Sequence, residues 1–266
     1  MSKGLITSIL NQKGGVGKTT TTVNLAAALA EKDYSVLIVD LDPQAHVGIH
    51  LGHSLHEGLT ITDVFLENSS IKDVILKSRK CLNFIPSAES LAGVQSLIGS
   101  SSNRNHRIKE ALQDIRSEYD FIFLDCPPSL GLLTVNALVA SQEVLVPMQA
   151  HFLALHGVSA LFKTVQGVAE EVNKELSVTG LILSMFEGQT MLAREVVEEI
   201  KLYLDSGRNT EVPWKKCQLF DPPIRRNIKL AEAPSFGKTI FEYDKNCAGA
   251  KDYLELAKNY IKAKEF

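Results

Sequence analysis

Several protein classes are excluded by what this chain lacks. Its four cysteines, Cys81, Cys126, Cys217 and Cys247, form no C-x-x-C pair. They therefore suggest neither a zinc ribbon nor a cluster site, and read as small hydrophobes in a reducing compartment. No apolar run approaches the roughly 20 residues of a membrane-spanning helix. The opening MSKGLITSIL lacks the basic region and long apolar core of a secretory leader, so a cytoplasmic location is expected. Positive charge is not in excess: Lys and Arg total 28 against 31 Asp and Glu, a net charge of −3. No global field draws the chain to nucleic acid, and any such binding must come from a local patch. There is no internal repeat and no low-complexity tract. What remains is ordinary globular composition over 266 residues, 45% hydrophobic and 22% charged. This suits one α/β domain spanning residues 1–266, large enough to bury a core without staples.

Short apolar runs alternate with helical patterns. Residues 4–10, 35–40, 82–86, 121–125, 143–147 and 178–184 are nearly continuous in apolar side chains, the pattern of strands covered on both faces. Between them, Ile108, Ala111, Leu112 and Ile115 follow helical spacing, as do Ala193, Val196, Val197 and Ile200, and Tyr253, Leu256, Ala257 and Tyr260. Strands alternating with helices predict βαβ crossovers and a doubly wound, mostly parallel sheet with helices on both faces. Residues 99–106 read as a polar loop. Residues 206–227, broken by Pro213, Pro222 and Pro223, read as a longer one. Trp214, the single tryptophan, falls there as packing or partner surface.

The run NQKGGVGKTT, Asn11 to Thr20, follows the first strand and opens a helix at about Lys18. A phosphate needs backbone N–H donors at close range. Gly14, Gly15 and Gly17 allow that approach, Val16 and Thr20 complete the cradle, and the helix N-terminus adds partial positive charge. Lys18 can reach the β- and γ-phosphates, and the Thr19 hydroxyl can ligate Mg²⁺. Val23, Ala26, Ala27 and Ala30 share the face that docks the helix on the sheet. The usual P-loop pattern places its first glycine where Gln12 stands, and Lys13 is an extra cation inside the loop. Two further strands end in carboxylates, in VDLDPQ (Val39 to Gln44) and LDCPPS (Leu124 to Ser129). That is the edge where open α/β sheets bind ligands. Asp40 or Asp125 alone would read as a turn cap; the pair beside a P-loop reads as a site.

KGGVGKTT, Lys13 to Thr20, resembles the deviant Walker A motif of the ParA/MinD/nitrogenase iron-protein superfamily of P-loop ATPases. VLVPMQ, Val144 to Gln149, and NIKLAEAPSFGK, Asn227 to Lys238, resemble its ParA/Soj branch. The likeness implies ATP and Mg²⁺ as cofactors and weak hydrolysis by the protein alone. Lys13 would reach the partner's phosphates across a nucleotide-sandwich dimer. Asp42 would position or activate the attacking water, Asp40 would lie near Lys18 and the metal shell, and Asp125 would hold Mg²⁺ through water. Met185 and residues near Pro223 would face the adenine. Loops 42–48 and 126–131 would be the switches, with His46 and His50 as surface or switch-loop residues.

The branch also implies an ATP-dependent homodimer on nonspecific double-stranded DNA, through Arg225, Arg226 and Lys229, with a ParB-like partner stimulating hydrolysis. That is the work of chromosome or plasmid partitioning. With no helix-turn-helix ahead of the P-loop, the chain resembles the short, chromosomal form. It departs from the branch at Ala45, where glycine is usual; at Gln189, where a basic residue is frequent and Arg194 could compensate; and at Arg225, where proline is usual. The alternatives are a ParA-like ATPase that positions protein cargo and a MinD-like ATPase on a membrane. The tail Ala250 to Phe266 is amphipathic, but with Tyr253, Ala257 and Tyr260 on its apolar face it reads as packed on the domain, so no stable membrane association is expected. A reductase like the nitrogenase iron protein would need paired cluster cysteines, and Cys81 and Cys126 lack the right flanks.

Overall fold

The computed structural model describes residues 4–53, 58–99, 101–152 and 154–264. Met1–Lys3 of the opening segment, Ser100 of the polar loop, and Glu265 and Phe266 of the tail lie outside them. The strands are β1 (Leu5–Ile9), β2 (Val36–Asp40), β3 (Leu76–Arg79), β4 (Leu82–Ile85), β5 (Phe121–Asp125), β6 (Glu143–Met148), β7 (Ser177–Leu183) and β8 (Gln218–Leu219). The helices of the first half are α1 (Lys18–Ala30), α2 (His46–His50), α3 (Ile61–Phe65), α4 (Val94–Ile98), α5 (Arg107–Gln113) and α6 (Leu132–Ala140). Those of the second half are α7 (Ala154–Glu171), α8 (Met191–Gly207), α9 (Ile228–Glu232), α10 (Ile240–Asp244) and α11 (Ala248–Lys262).

Among the described residues the strands form one eight-stranded sheet in the order β3-β4-β2-β5-β1-β6-β7-β8. Every pairing is parallel except β3 with β4. This is the doubly wound sheet that the alternating pattern implies. The pleat divides the apolar side chains between two layers. Val36, Ile38, Phe121 and Phe123 face α1 and α11, while Leu37, Val39, Ile122 and Leu124 face the opposite layer, which holds Leu112 of α5, Leu138 of α6, Phe162 of α7 and Ile200 of α8. Continued by two residues, the same alternation turns Asp40 and Asp125 toward α1, the helix that the P-loop opens.

The sequence pattern places one face of α1 on the sheet. In the structure α1 is buried almost all round, including Thr21, Thr22 and Asn24, because α10 and α11 cover its outer side. Tyr253 of α11 meets Thr21, hydroxyl to hydroxyl, at 3.1 Å, and Asn24 accepts the Ile240 backbone N–H at 2.8 Å. The tail does pack on the domain: Tyr253, Leu256, Ala257 and Tyr260 are buried. Ile115, placed by its spacing in a helix, is buried just past the end of α5. Trp214 is core packing, with its ring 5.0 Å from Phe162 and stacked on Tyr203. Cys126 and Cys217 are buried, Cys81 and Cys247 half-buried, and all four are free thiols. No helix among the described residues is long and apolar enough to cross a membrane.

Candidate nucleotide site

Three adjacent strands end at one level. Ile9 of β1 pairs in register with Asp125 of β5, and Asp125 with Asp40 of β2. The P-loop leaves β1 at this level and returns as α1, so the glycines and both carboxylates meet at the C-terminal edge of the sheet. Gly15 (φ 71°) and Gly17 (φ 83°) adopt the left-handed conformation, which an L side chain takes only under strain. Open space surrounds Gly14 and Gly15 where a Cβ would stand, and Lys13, Gly14 and Gly15 are exposed. The loop is anchored from behind. Asn11 donates to Pro147 O at 2.8 Å and accepts from the Lys13 N–H at 2.9 Å. Ser184 donates to Val16 O at 2.7 Å, and Gln149 to Gly15 O at 3.3 Å.

Lys18 is buried and donates to Lys13 O at 3.2 Å, holding the loop's own backbone. Burial lowers its pKa, against the charges of Asp125 and Asp42. Thr19 donates to Asp125 Oδ2 at 2.7 Å and Thr22 to Oδ1 at 2.8 Å. With its proton on Asp125, the Thr19 oxygen keeps lone pairs for a cation, and both Asp125 oxygens are held in place. Burial raises the Asp125 pKa to about 6, against the hydrogen bonds from Thr19 and Thr22. Thr22 lies beyond the P-loop motif; its signal in the sequence is the three-residue spacing from Thr19, which puts both hydroxyls on one helix face.

Asp40, level with Asp125 on the neighbouring strand, gives its carboxylate to the next loop, where Oδ1 accepts the Asp42 N–H at 3.0 Å and Oδ2 the Val47 N–H at 3.1 Å. Burial and the neighbouring Asp125 charge push its pKa well above the usual range, against those two backbone bonds. Asp40 therefore shapes the loop that carries Asp42. Asp42 is half-buried, with Oδ1 accepting the Gln44 N–H at 3.0 Å. Ala45 caps α2 in the left-handed region, at φ 54° and ψ 36°, so the loop keeps a glycine-like shape without glycine. His46 and His50 lie on α2, the first exposed and the second half-buried.

On the other side of the P-loop, Met185 (φ 48°) lines a concavity of about 540 Å³ together with Gln149, Phe186, Glu187 and Arg226. The chain around Ile224 runs beside the end of β7, with Ile224 N–H bonded to Leu183 O and Phe186 N–H to Ile224 O. Pro223 stands one residue before that ladder and outside the lining residues of the concavity. The three cations read as DNA contacts all hold carboxylates. Arg225 forks onto buried Asp252, with Nη2 2.6 Å from Oδ1. Arg226 meets Glu187 at 2.8 Å and Lys229 meets Glu232 at 3.1 Å. Arg226 is the most exposed of them, at 74%. Arg194 holds the Gly188 carbonyl at 3.2 Å, beside Gln189.

A cradle of accessible amides, a lysine, a threonine held on a carboxylate and a loop aspartate form the donor set that a magnesium–nucleoside triphosphate requires. The family model described as an AAA domain matches residues 4–178. The chain is 40% identical over 261 residues to the chromosome partitioning protein ParA of Myxococcus xanthus, covering 97% of this chain and 88% of that one. It is 40% identical over 257 residues to the sporulation initiation inhibitor protein Soj of Bacillus subtilis, covering 96% and 97%. Among solved structures, cobyrinic acid a,c-diamide synthase of Mycobacterium smegmatis with bound ATP analogue and magnesium superposes with a TM-score of 0.83 at 29% identity, covering 98% and 96%. Similarity of this extent to a ParA and a Soj protein, together with the P-loop geometry, places the chain in the ParA/Soj family of partitioning ATPases.

Proposed function

We propose that this chain is an ATP-driven partitioning switch, in which ATP joins two copies into a dimer that holds double-stranded DNA without reading its sequence, and hydrolysis releases it. It is an ATPase that uses ATP and Mg²⁺, and residues 1–266 act as one unit. The observation that carries the reading is the meeting of Lys18, Thr19, Asp125 and the Asp42 loop at one level of the sheet. When bound, ATP supplies the phosphoryl group and Mg²⁺ neutralises its charge. Lys18 and the amides of Gly14 to Thr20 hold the phosphates, and the Thr19 hydroxyl with Asp125 behind it holds the metal shell. Asp42 orients the attacking water, and the Lys13 ammonium reaches the partner's phosphates, a role comparable to an arginine finger. Met185 and the Pro223 segment take the adenine side.

Arg225, Arg226 and Lys229 supply cations for DNA phosphates, and two copies double the patch. A ParB-like protein stimulates hydrolysis, and the ATP form is held on the nucleoid. A membrane role finds no support in α11, whose apolar face is already buried against the sheet.

Turnover and sedimentation with Mg-ATP test this reading. Asp42→Ala is expected to bind ATP and sediment as a dimer while hydrolysis falls about 10²-fold or more. Lys13→Ala is expected to bind ATP and lose both dimer and turnover. Hydrolysis by Asp42→Ala at the wild-type rate would remove Asp42 from the mechanism.

A further inference from the structure

Arg79 stands outside the nucleotide site and joins three segments far apart in the chain. It lies on β3, at a register shift against β4 between Lys77 and Arg79, an irregularity of the kind that re-aims a side chain. The guanidinium forks onto Glu242, with Nε 3.1 Å from Oε1 and Nη2 2.9 Å from Oε2. Nη1 donates to Leu51 O at 2.6 Å and Nη2 to Gly237 O at 3.1 Å. Leu51 closes α2, the helix that follows the Asp42 loop. Gly237 closes the 3-10 turn Ala233–Phe236 that continues α9, and Glu242 completes the capping box of α10.

The turns at the two ends of this clasp are also in backbone contact. Gly52 and Gly237 have φ of 77° and 62°. A Cβ on Gly237 would stand 2.4 Å from Gly52 Cα, and one on Gly52 would stand 2.7 Å from Gly237 O. A shift of either turn therefore displaces the other. The block beyond Gly237 is tied in turn to the helix bearing Lys229. Tyr243 of α10 donates to Glu232 Oε2 at 2.9 Å, and the same oxygen takes Lys229 Nζ at 3.1 Å. At the far end of the chain of contacts, buried Asp40 pins the Val47 N–H at the start of α2.

We propose that Arg79 is a positioning residue that locks the Asp42 loop and α2 to the α9–α10 segment, so that a nucleotide-dependent change in that loop moves the helix carrying Lys229. This rests on the reading of the Asp42 loop as nucleotide-responsive, and it holds whether or not α9 touches DNA. A side chain serving stability alone would hold α9 equally in every nucleotide state. A coupling residue makes α9 respond to the nucleotide.

Hydrogen–deuterium exchange over residues 228–243 distinguishes the two. Wild type, Arg79→Ala and Glu242→Gln are each compared with Mg-ADP and with a non-hydrolysable Mg-ATP analogue. Gln at position 242 can still close a capping box, so this variant carries the test if Arg79→Ala does not fold. In wild type the exchange rates are expected to differ between nucleotides by about five-fold or more, falling below about two-fold in the variants while analogue affinity stays within about three-fold. A difference that survives in the variants, or is absent from wild type, overturns the proposal. DNA binding by the same samples is a separate arm. Wild type that shows the nucleotide-dependent exchange but binds no DNA keeps the coupling and loses the DNA reading.

Discussion

Ala45 holds a left-handed conformation at the start of α2, a geometry that costs an L-residue roughly 1–2 kcal/mol. Glycine would relieve that strain but give back about 0.4–1 kcal/mol through the freedom of the unfolded chain. Ala45→Gly is therefore expected to stabilise the protein by about 0–1 kcal/mol in urea titrations, and a clear destabilisation would contradict the strain argument. Five residues on, burial and then the charge of His46 push the His50 pKa from 6.5 to about 4. Because the folded value lies below the unfolded one, the stabilisation is complete above pH 6.5. It is lost as pH falls toward 4, at up to about 1.4 kcal/mol per pH unit. Wild-type stability should decline over that window, and His50→Gln should flatten the decline; an unchanged slope would show that another group sets it. At this scale the P-loop was legible because each of its residues answers a local need for an amide, a cation or a hydroxyl. The Asp40 contacts were not, since they depend on the path of the loop from Asp42 to Val47, which no motif specifies.

Helix α11 is fixed to the sheet by a buried polar chain as well as by apolar contact. Tyr260 meets Thr7, hydroxyl to hydroxyl, at 2.9 Å and donates to Glu143 Oε2 at 3.1 Å, while Lys264 pairs with the other Glu143 oxygen. Tyr260→Phe would keep the ring and leave Thr7 and Glu143 short of a partner, at an expected cost of about 1–3 kcal/mol. A urea midpoint unchanged from wild type would mean that water or rearrangement fills the gap. The helical spacing of Tyr253, Leu256, Ala257 and Tyr260 announced the buried face of α11, and the apolar runs announced the central strands. Two edge elements left no such signal. The sequence of β3, LKSR, is polar and half-exposed, and β8 contributes two residues, too few for a period to show. Arg79 lies on β3, so no apolar period marks its position. The full burial of α1 was likewise beyond the reach of its own sequence, because its cover comes from residues more than 200 positions later.

As a whole the molecule combines a net charge of −3 with three clustered cations, each engaged by a carboxylate. Among these pairs, Arg226 with Glu187 is the most exposed and the most readily exchanged for a phosphate, since exposed ion pairs contribute only about 0–1 kcal/mol. Glu187→Gln should therefore tighten DNA binding by the ATP form, and a looser complex would show that Glu187 supports the DNA-binding surface. The resemblance pointed to these cations but not to their partners, which come from β7's outgoing loop, from α9 itself and from α11. The decisive measurement is binding to nonspecific double-stranded DNA with ATP, with ADP and without nucleotide, across a salt series, using Asp42→Ala to hold the ATP state and Arg226→Ala to remove a cation. Binding should appear with ATP alone, persist in Asp42→Ala and weaken steeply with salt. Arg226→Ala, which removes one cation from each protomer, should reduce the slope of log affinity against log salt by about 2. An ATP-loaded dimer of Asp42→Ala that binds no DNA at low salt would contradict the partitioning reading and turn the search to protein cargo.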